Sequence, residues 1–261
     1  MKLIWMSDLH FVAEEELVME HDPRRRLEAA IKHINDHHKD AAYCVISGDM
    51  VNRGTEKDYR ELRLLLDQLV IPYLPMAGNH DNRSLMKSIL PVPEVMKEFV
   101  QYSVNSDQGL ILCLDSQKAG QDCGEFCSER SAWLEEELRR AAGKPALVFL
   151  HHPPIPLGLP MQDQDGMENG DAFLELLNKY PNVAHLFIGH VHRPISGQMA
   201  GLSFTTMRSV LYQAPAPVPA WDWDSFKPGQ EAPAIGVVRV DRNSVIVQFE
   251  QFAEFDVGIL V

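Results

Sequence analysis

Carboxylates, imidazoles and one amide recur in this chain directly behind short apolar runs. Asp8-Leu9-His10 follows Leu3 to Met6, and residues i and i+2 of an extended segment share a face, so the pair can chelate. Gly48-Asp49 closes the run Tyr43 to Ile46, and Gly78-Asn79-His80-Asp81 follows Pro72 to Pro75. His151 follows Ala146 to Leu150. Gly189-His190-Val191-His192 follows Val183 to Ile188, again with two imidazoles on one face. Each cluster alone has an ordinary structural account: a polar strand end, a glycine-assisted bend, an Asn-His turn, a hydrogen-bonded histidine. Together they ask for another. Mixed carboxylate, amide and imidazole donors suit borderline metals such as Fe, Mn, Zn or Co. Asp8, His10, Asp49, Asn79, His151, His190 and His192 are too many donors for one tetrahedral ion. They suffice for two ions sharing a carboxylate, a pair that typically sits about 3.5–4 Å apart.

For these clusters to meet, their strands must end at one edge of a sheet, where ligands bind in open α/β folds. The pattern between the clusters allows it. Asp22-Pro23 opens a helix with Leu27, Ile31 and Ile34 on one face, and Thr55 resembles the N-cap of a helix striped by Tyr59, Leu62, Leu66 and Leu69. Leu110 to Leu114 reads as a further strand. Ser128 is expected to cap a helix carrying Trp133, Leu134 and Leu138, and Phe173 to Tyr180 reads as helical. Beyond residue 193 short strands dominate: Ile195 to Gln198, Ser203 to Met207, Ile235 to Val240 and Ser244 to Phe249, with a Pro- and Trp-rich stretch from Ala214 to Pro228. Alternating units with a β-rich end predict a layered α/β sandwich over residues 1–261, in which 194–234 forms a cap or dimerisation segment.

Bulk properties narrow the function. The 261 residues can bury a sizeable core, and 45% apolar with 23% charged residues is ordinary globular composition. A net charge of −13 argues against a protein that grips long nucleic acid through its phosphates. The apolar start is too brief for a signal peptide, and no run approaches the roughly 18 apolar residues of a membrane span, so a cytoplasmic address is expected. Cys44 and Cys113 read as buried thiols, and Cys123 and Cys127, close together in a polar loop, as free thiols too few for a zinc site. His33, His37 and His38 read as solvated, and Trp221 and Trp223 as a packing or dimer surface.

The order Asp-x-His, Gly-Asp-x-x-Asn, Gly-Asn-His-Asp, His, Gly-His-x-His, from residue 8 to 192, resembles the calcineurin-like metallophosphoesterase superfamily. It is most similar to the class III cyclic nucleotide phosphodiesterases and bacterial glycerophosphodiesterases. His151-His152-Pro153-Pro154 and Glu168-Asn169-Gly170 resemble that branch too. The resemblance implies a four-layer α/β/β/α sandwich and two divalent or trivalent ions, Mn2+, Fe2+/Fe3+, Zn2+ or Co2+. It also implies roles. Asp8, His10 and His192 would hold one ion, Asn79, His151 and His190 the other, and Asp49 would bridge them. His80 would face the phosphate, and Asn52 would lie near substrate. Two departures bear on the substrate rather than on the reaction: Arg53, behind Asn52 where the protein-phosphatase version has Asp, is expected to reach a phosphate oxygen, and Tyr212 stands where some phosphodiesterases of this branch have a substrate-side His.

The expected activity is hydrolysis of small phosphodiesters, a cyclic nucleotide such as 3',5'-cAMP or a glycerophosphodiester, by a hydroxide held between the ions. The rivals are a phosphomonoesterase or phosphonate-ester hydrolase on the same site, a nuclease, and a non-catalytic scaffold of the same fold. A homo-oligomer, dimer or higher, is expected.

Overall fold

The structure, a computed structural model, describes residues 1–253 apart from Glu15 and Ala142. Two sheets lie face to face. The first contains β1 (Lys2–Met6), β2 (Tyr43–Ile46), β3 (Tyr73–Pro75), β10 (Ala234–Val240) and β11 (Val245–Gln251), in the order β11-β10-β1-β2-β3. The second contains β4 (Tyr102–Ser106), β5 (Gly109–Cys113), β6 (Ala146–Leu150), β7 (Val183–Ile188), β8 (Ser196–Met199) and β9 (Leu202–Thr206), in the order β4-β5-β6-β7-β9-β8. β1, β2 and β3 are parallel, as are β5, β6, β7 and β9, while β10, β4 and β8 pair antiparallel with β1, β5 and β9.

Strand periodicity explains the layers. On β6, Leu147 and Phe149 join the apolar cluster between the sheets, and Ala146, Val148 and Leu150 join the one beneath the outer helices. On β5, Ile111 and Cys113 alternate with Leu110 and Leu112 in the same way. A strand buried on both faces must be apolar throughout, which is why these runs are continuous rather than alternating. Trp5 pins the sheets together, edge-on to Phe149 (ring centroids 6.1 Å apart) and Phe187 (5.2 Å). The expected four-layer arrangement is the one observed.

The outer helices are α1 (Pro23–His37), α2 (Glu56–Leu66), α3 (Arg83–Ile89), α4 (Ser128–Arg140) and α5 (Gly170–Leu177). Asp22 caps α1 by accepting from the Arg25 N–H at 3.0 Å, and Thr55 caps α2 from the Asp58 N–H at 3.2 Å. Both helix starts match the expectation. Three expectations shift. The residue capping α4 is Cys127, which makes no side-chain cap bond, and Ser128 is the first helical residue. α5 begins at Gly170 and ends at Leu177, because a Cβ at 170 would lie 1.8 Å from the Pro154 carbonyl oxygen; only glycine lets the turn pack there. His38 is buried, 5% exposed, and pairs with Glu250, whereas His37 is solvated as expected. Two elements went unread. α3 buries only Met86 and so shows no apolar stripe, and β4 is a mostly half-exposed edge strand.

The stretch 194–234 divides. β8 and β9 extend the second sheet, and residues 207–233 run over the site instead, tied by the Gly229 N–H donating to the Gln213 carbonyl at 2.8 Å. Among the described residues no helix is long and apolar enough to cross a membrane.

Candidate metal centre

β1, β2 and β3 from one sheet and β6 and β7 from the other each hand over directly to one of the five chemical clusters. Short backbone bonds knit the loops: the Asp8 N–H donates to the Gly48 carbonyl (3.1 Å), and the His10 N–H to the Asp49 carbonyl (3.0 Å). Asp8, His10, Asp49, His190 and His192 all adopt positive φ, between 42° and 69°. For a residue with a Cβ that backbone costs on the order of 1–3 kcal/mol, and it persists only where the surroundings enforce it. Close approach is the second device. A Cβ on Gly78 would lie 2.2 Å from Asp49 Oδ1, and one on Gly189 would lie 2.6 Å from Ser7 Oγ.

The imidazoles are oriented from behind. His151 Nδ1 donates to the Ser47 carbonyl (2.9 Å), leaving the Nε2 lone pair 3.1 Å from Asn79 Oδ1 and 3.4 Å from Asp49 Oδ2. His192 Nδ1 donates to the Tyr212 carbonyl (2.9 Å), so its Nε2 faces Asp8 Oδ1 at 3.4 Å and His10 Nε2 at 3.1 Å. His10 Nδ1 in turn lies 3.2 Å from Asn52 Oδ1, and its Nε2 is 3.6 Å from Asp49 Oδ2. His190 Nδ1 approaches Asn79 Oδ1 at 3.2 Å, and its N–H donates to Asp8 Oδ1 at 3.1 Å. Ring nitrogens thus converge on one another and on carboxylate and amide oxygens, an arrangement that a shared proton or an interposed cation makes favourable. Asp8 Oδ2 is buried with no hydrogen-bond partner, as a metal ligand's oxygen is before the metal is counted. Asp8, His10 and His192 form one group able to hold an ion; Asp8, Asp49 and His151 form another, and His151, His152 and His190 a third. The donors fit two ions, with Asp49 reaching both imidazole sets.

Titration follows the same geometry. Burial alone would raise the Asp8 carboxyl, but the His192 and His151 imidazoles bring it down to about 2. Burial opposes ionisation of Asp49 too, and His151 and His80 hold it well below the usual carboxylate range. Burial lowers His10 and His190 to about 3 each, so both are neutral donors. Burial would also lower His151, but Asp49 overrides it and lifts the ring to about 9; a proton there does what a metal would.

Over the cluster opens a cavity of about 260 Å³, lined further by His80, Asp122, Gln162, Asp165, Tyr212 and Trp223. His80 Nδ1 donates to the Asn52 carbonyl (2.9 Å), and its ring stands edge-on to His10, with centroids 4.8 Å apart. Burial would lower this imidazole, but Asp49 holds it above the ordinary value. Asn52 therefore reaches the site through His10 and His80. Arg53 does not line the cavity: its guanidinium bonds Glu16 at 2.9 Å and lies 3.6 Å from Glu14 and 3.9 Å from Asp58, which together draw it outward. His152 is buried with both ring nitrogens engaged, by Ser116 Oγ (2.8 Å) and the Asp122 carbonyl (3.1 Å), whereas His151 Nε2 looks into the cluster.

Sequence reasoning passed over several contributors. Asp81 ties the Asp49 and Asn79 loops together by accepting from the Met50 and Gly78 N–H groups (3.1 and 2.9 Å) and the Tyr59 hydroxyl (2.7 Å). Its position in Gly-Asn-His-Asp was the available signal. Asp122, Gln162 and Asp165 carry no such signal.

The family model for calcineurin-like phosphoesterases matches residues 1–194. A protein of Rhodopseudomonas palustris named as a probable cyclic nucleotide phosphodiesterase is 34% identical over 252 residues, covering 95% of this chain and 91% of its own. A glycerophosphodiester phosphodiesterase of Enterobacter lignolyticus is 33% identical over 175 residues, covering 66% of this chain and 63% of its own. Among solved structures, a dimetal phosphatase from Danio rerio superposes with a TM-score of 0.71 at 14% identity, over 97% of this chain and 96% of that one, which shows the shared fold. The chain belongs to the calcineurin-like phosphoesterase family and is a metal-dependent phosphoester hydrolase.

Proposed function

We propose that this enzyme is a phosphodiesterase of small diesters, with a cyclic nucleotide as the preferred class. One ion would be held by Asp8, His10 and His192, the other by Asn79, His151 and His190, with Asp49 shared. The observation that carries the reading is the set of inward lone pairs around Asp49, together with the unpartnered Asp8 Oδ2. Two cations bound there neutralise phosphoryl charge and make water acidic enough to attack phosphorus at neutral pH.

The chain's own groups complete the reaction. With Nδ1 tied to the Asn52 carbonyl, His80 presents Nε2 to the cavity, where it hydrogen-bonds a phosphoryl oxygen or hands a proton to the departing alkoxide. Asn52 holds both His10 and His80 in place. Residues 207–233 act as a cap: the Tyr212 ring lies 4.4 Å from His192, and Trp223 closes the cavity's outer side.

Diester preference is supported by the outer wall. Asp122 and Asp165 line it and, among the described residues, no lysine or arginine does, so a dianionic monoester meets more repulsion than a monoanionic diester. The Tyr212 and Trp223 rings that line the cavity favour a substrate carrying a nucleobase. The same two carboxylates suit a hydroxyl-rich glycerol, the observation that supports glycerophosphodiesters as a second reading.

The test is hydrolysis of bis-p-nitrophenyl phosphate, p-nitrophenyl phosphate, cyclic AMP and a glycerophosphodiester by Mn2+-loaded enzyme, with metal content measured. A diester rate exceeding the monoester rate is expected. Preference for the monoester would overturn the proposal.

A further inference from the structure

Among the described residues, one more cluster of metal-ligating side chains lies outside the centre. His33 on α1, His38 at its C-terminal cap and Glu250 on β11 each offer one ligand atom, and these atoms lie within 4.8 Å of one another. Glu250 Oε2 is 2.9 Å from His38 Nε2 and 3.4 Å from His33 Nε2. We propose that His33, His38 and Glu250 form a separate zinc site that ties the edge strand β11 to the end of α1.

The distances suit the ion. Zinc takes nitrogen at about 2.0–2.1 Å and carboxylate oxygen at about 2.0–2.2 Å, which places tetrahedral donors roughly 3.3–3.5 Å apart. The Glu250–His33 separation already matches, and the Glu250–His38 one is short by about 0.5 Å. Local structure brings the donors together: α1 ends at His37, and His38 leaves the helical conformation (φ −132°, ψ 30°), so residues five apart both reach Glu250. His38 is 5% exposed, and its ring is held through Nε2, on the side that faces Glu250. Lys2, whose charge reaches His38, is engaged by Asp40 at 2.6 Å. The Glu250 side chain is 39% exposed, which leaves room for water as the fourth ligand.

The site also has a structural consequence. Among the described residues β11 is the last strand of its sheet, bonded only to β10, and Ile246 and Phe249 on it are exposed. A metal across His38 and Glu250 would close a loop of 212 residues and so restrain an edge otherwise held from one side.

The experiment counts zinc by mass spectrometry after equilibrium dialysis against Zn2+ and records Tm with and without Zn2+. It compares the wild-type chain with His33→Gln and Glu250→Gln. The wild type should retain about one zinc more per chain than either variant, and zinc should raise its Tm further. Hydrolysis of bis-p-nitrophenyl phosphate should be the same in all three, because neither residue belongs to the catalytic cluster; that equality shows the variants are folded. Equal zinc counts in the three proteins would overturn the proposal. A Tm loss in Glu250→Gln of the same size with and without zinc, at equal counts, would reduce the cluster to an ion pair and overturn it too.

Discussion

Gly48→Ala should disable the enzyme through a single methyl group. The added Cβ would lie 2.3 Å from His151 Nδ1 and 2.8 Å from its Cγ. Non-bonded contact between heavy atoms is favourable only from about 3.5 Å, so the ring must retreat by roughly 1 Å. The retreat breaks the 2.9 Å bond to the Ser47 carbonyl and draws Nε2 away from Asp49 and Asn79. Gly48 also sits at φ +102°, where a side chain adds strain of about 1–3 kcal/mol. Displacements of about 1 Å in a reacting constellation can cost about 100-fold in rate, so kcat/KM should fall by at least that and metal content by about one ion. Gly120→Ala is the control: φ is +71° but nothing lies within 4 Å, so it carries strain without the clash. Both variants should lose some Tm on heating; only Gly48→Ala should lose metal and rate on bis-p-nitrophenyl phosphate. Full metal content and rate in Gly48→Ala, with a Tm loss matching the control, would refute the role given to His151.

His80→Ala should keep both metals by mass spectrometry and slow diester turnover by about 10²–10⁴-fold; a collapse of metal content would place His80 among the ligands instead. Chelation should lower Tm reversibly, by an amount corresponding to about 4 kcal/mol when the ion had been at about a thousand times its Kd, with Mn2+ restoring it. His185→Gln probes acid stability. Burial lowers His185 to about 4, so below its unfolded value of 6.5 the unfolded chain binds a proton that the native one refuses. That stability is present above pH 6.5 and is lost as pH falls toward 4, by up to about 1.4 kcal/mol per unit. The glutamine variant can keep the bond to Thr205 Oγ1, seen at 2.9 Å, without titrating, so its stability should decline less over that window. Parallel decline of the two proteins would show that His185 does not contribute.

The seven donors were readable because each is a local event: a residue type costly to bury, set at the end of an apolar run, at a spacing that puts chelating pairs on one face. The layers were readable for a similar reason, since Leu147 and Phe149 alternate with Val148 and Leu150 between two apolar surroundings. What escaped depends on partners far along the chain. His192 is aimed by the Tyr212 main-chain carbonyl, and any residue type supplies a carbonyl. Arg53 looked free to meet phosphate, but Glu16, 37 residues earlier, claims it. His38 looked solvated because Glu250, which helps bury it, lies 212 residues away. The same distinction separates what is firm about the reaction from what the substrate panel must decide. The candidate metal donors follow strand ends whose register is set by two buried sheets, so their convergence follows from the fold. Trp223 and Asp122 sit on irregular loops and Asp165 ends a single 3₁₀ turn (Gln162–Asp165), all outside every strand and α-helix, so the substrate they accept depends on loop packing that no periodicity encodes.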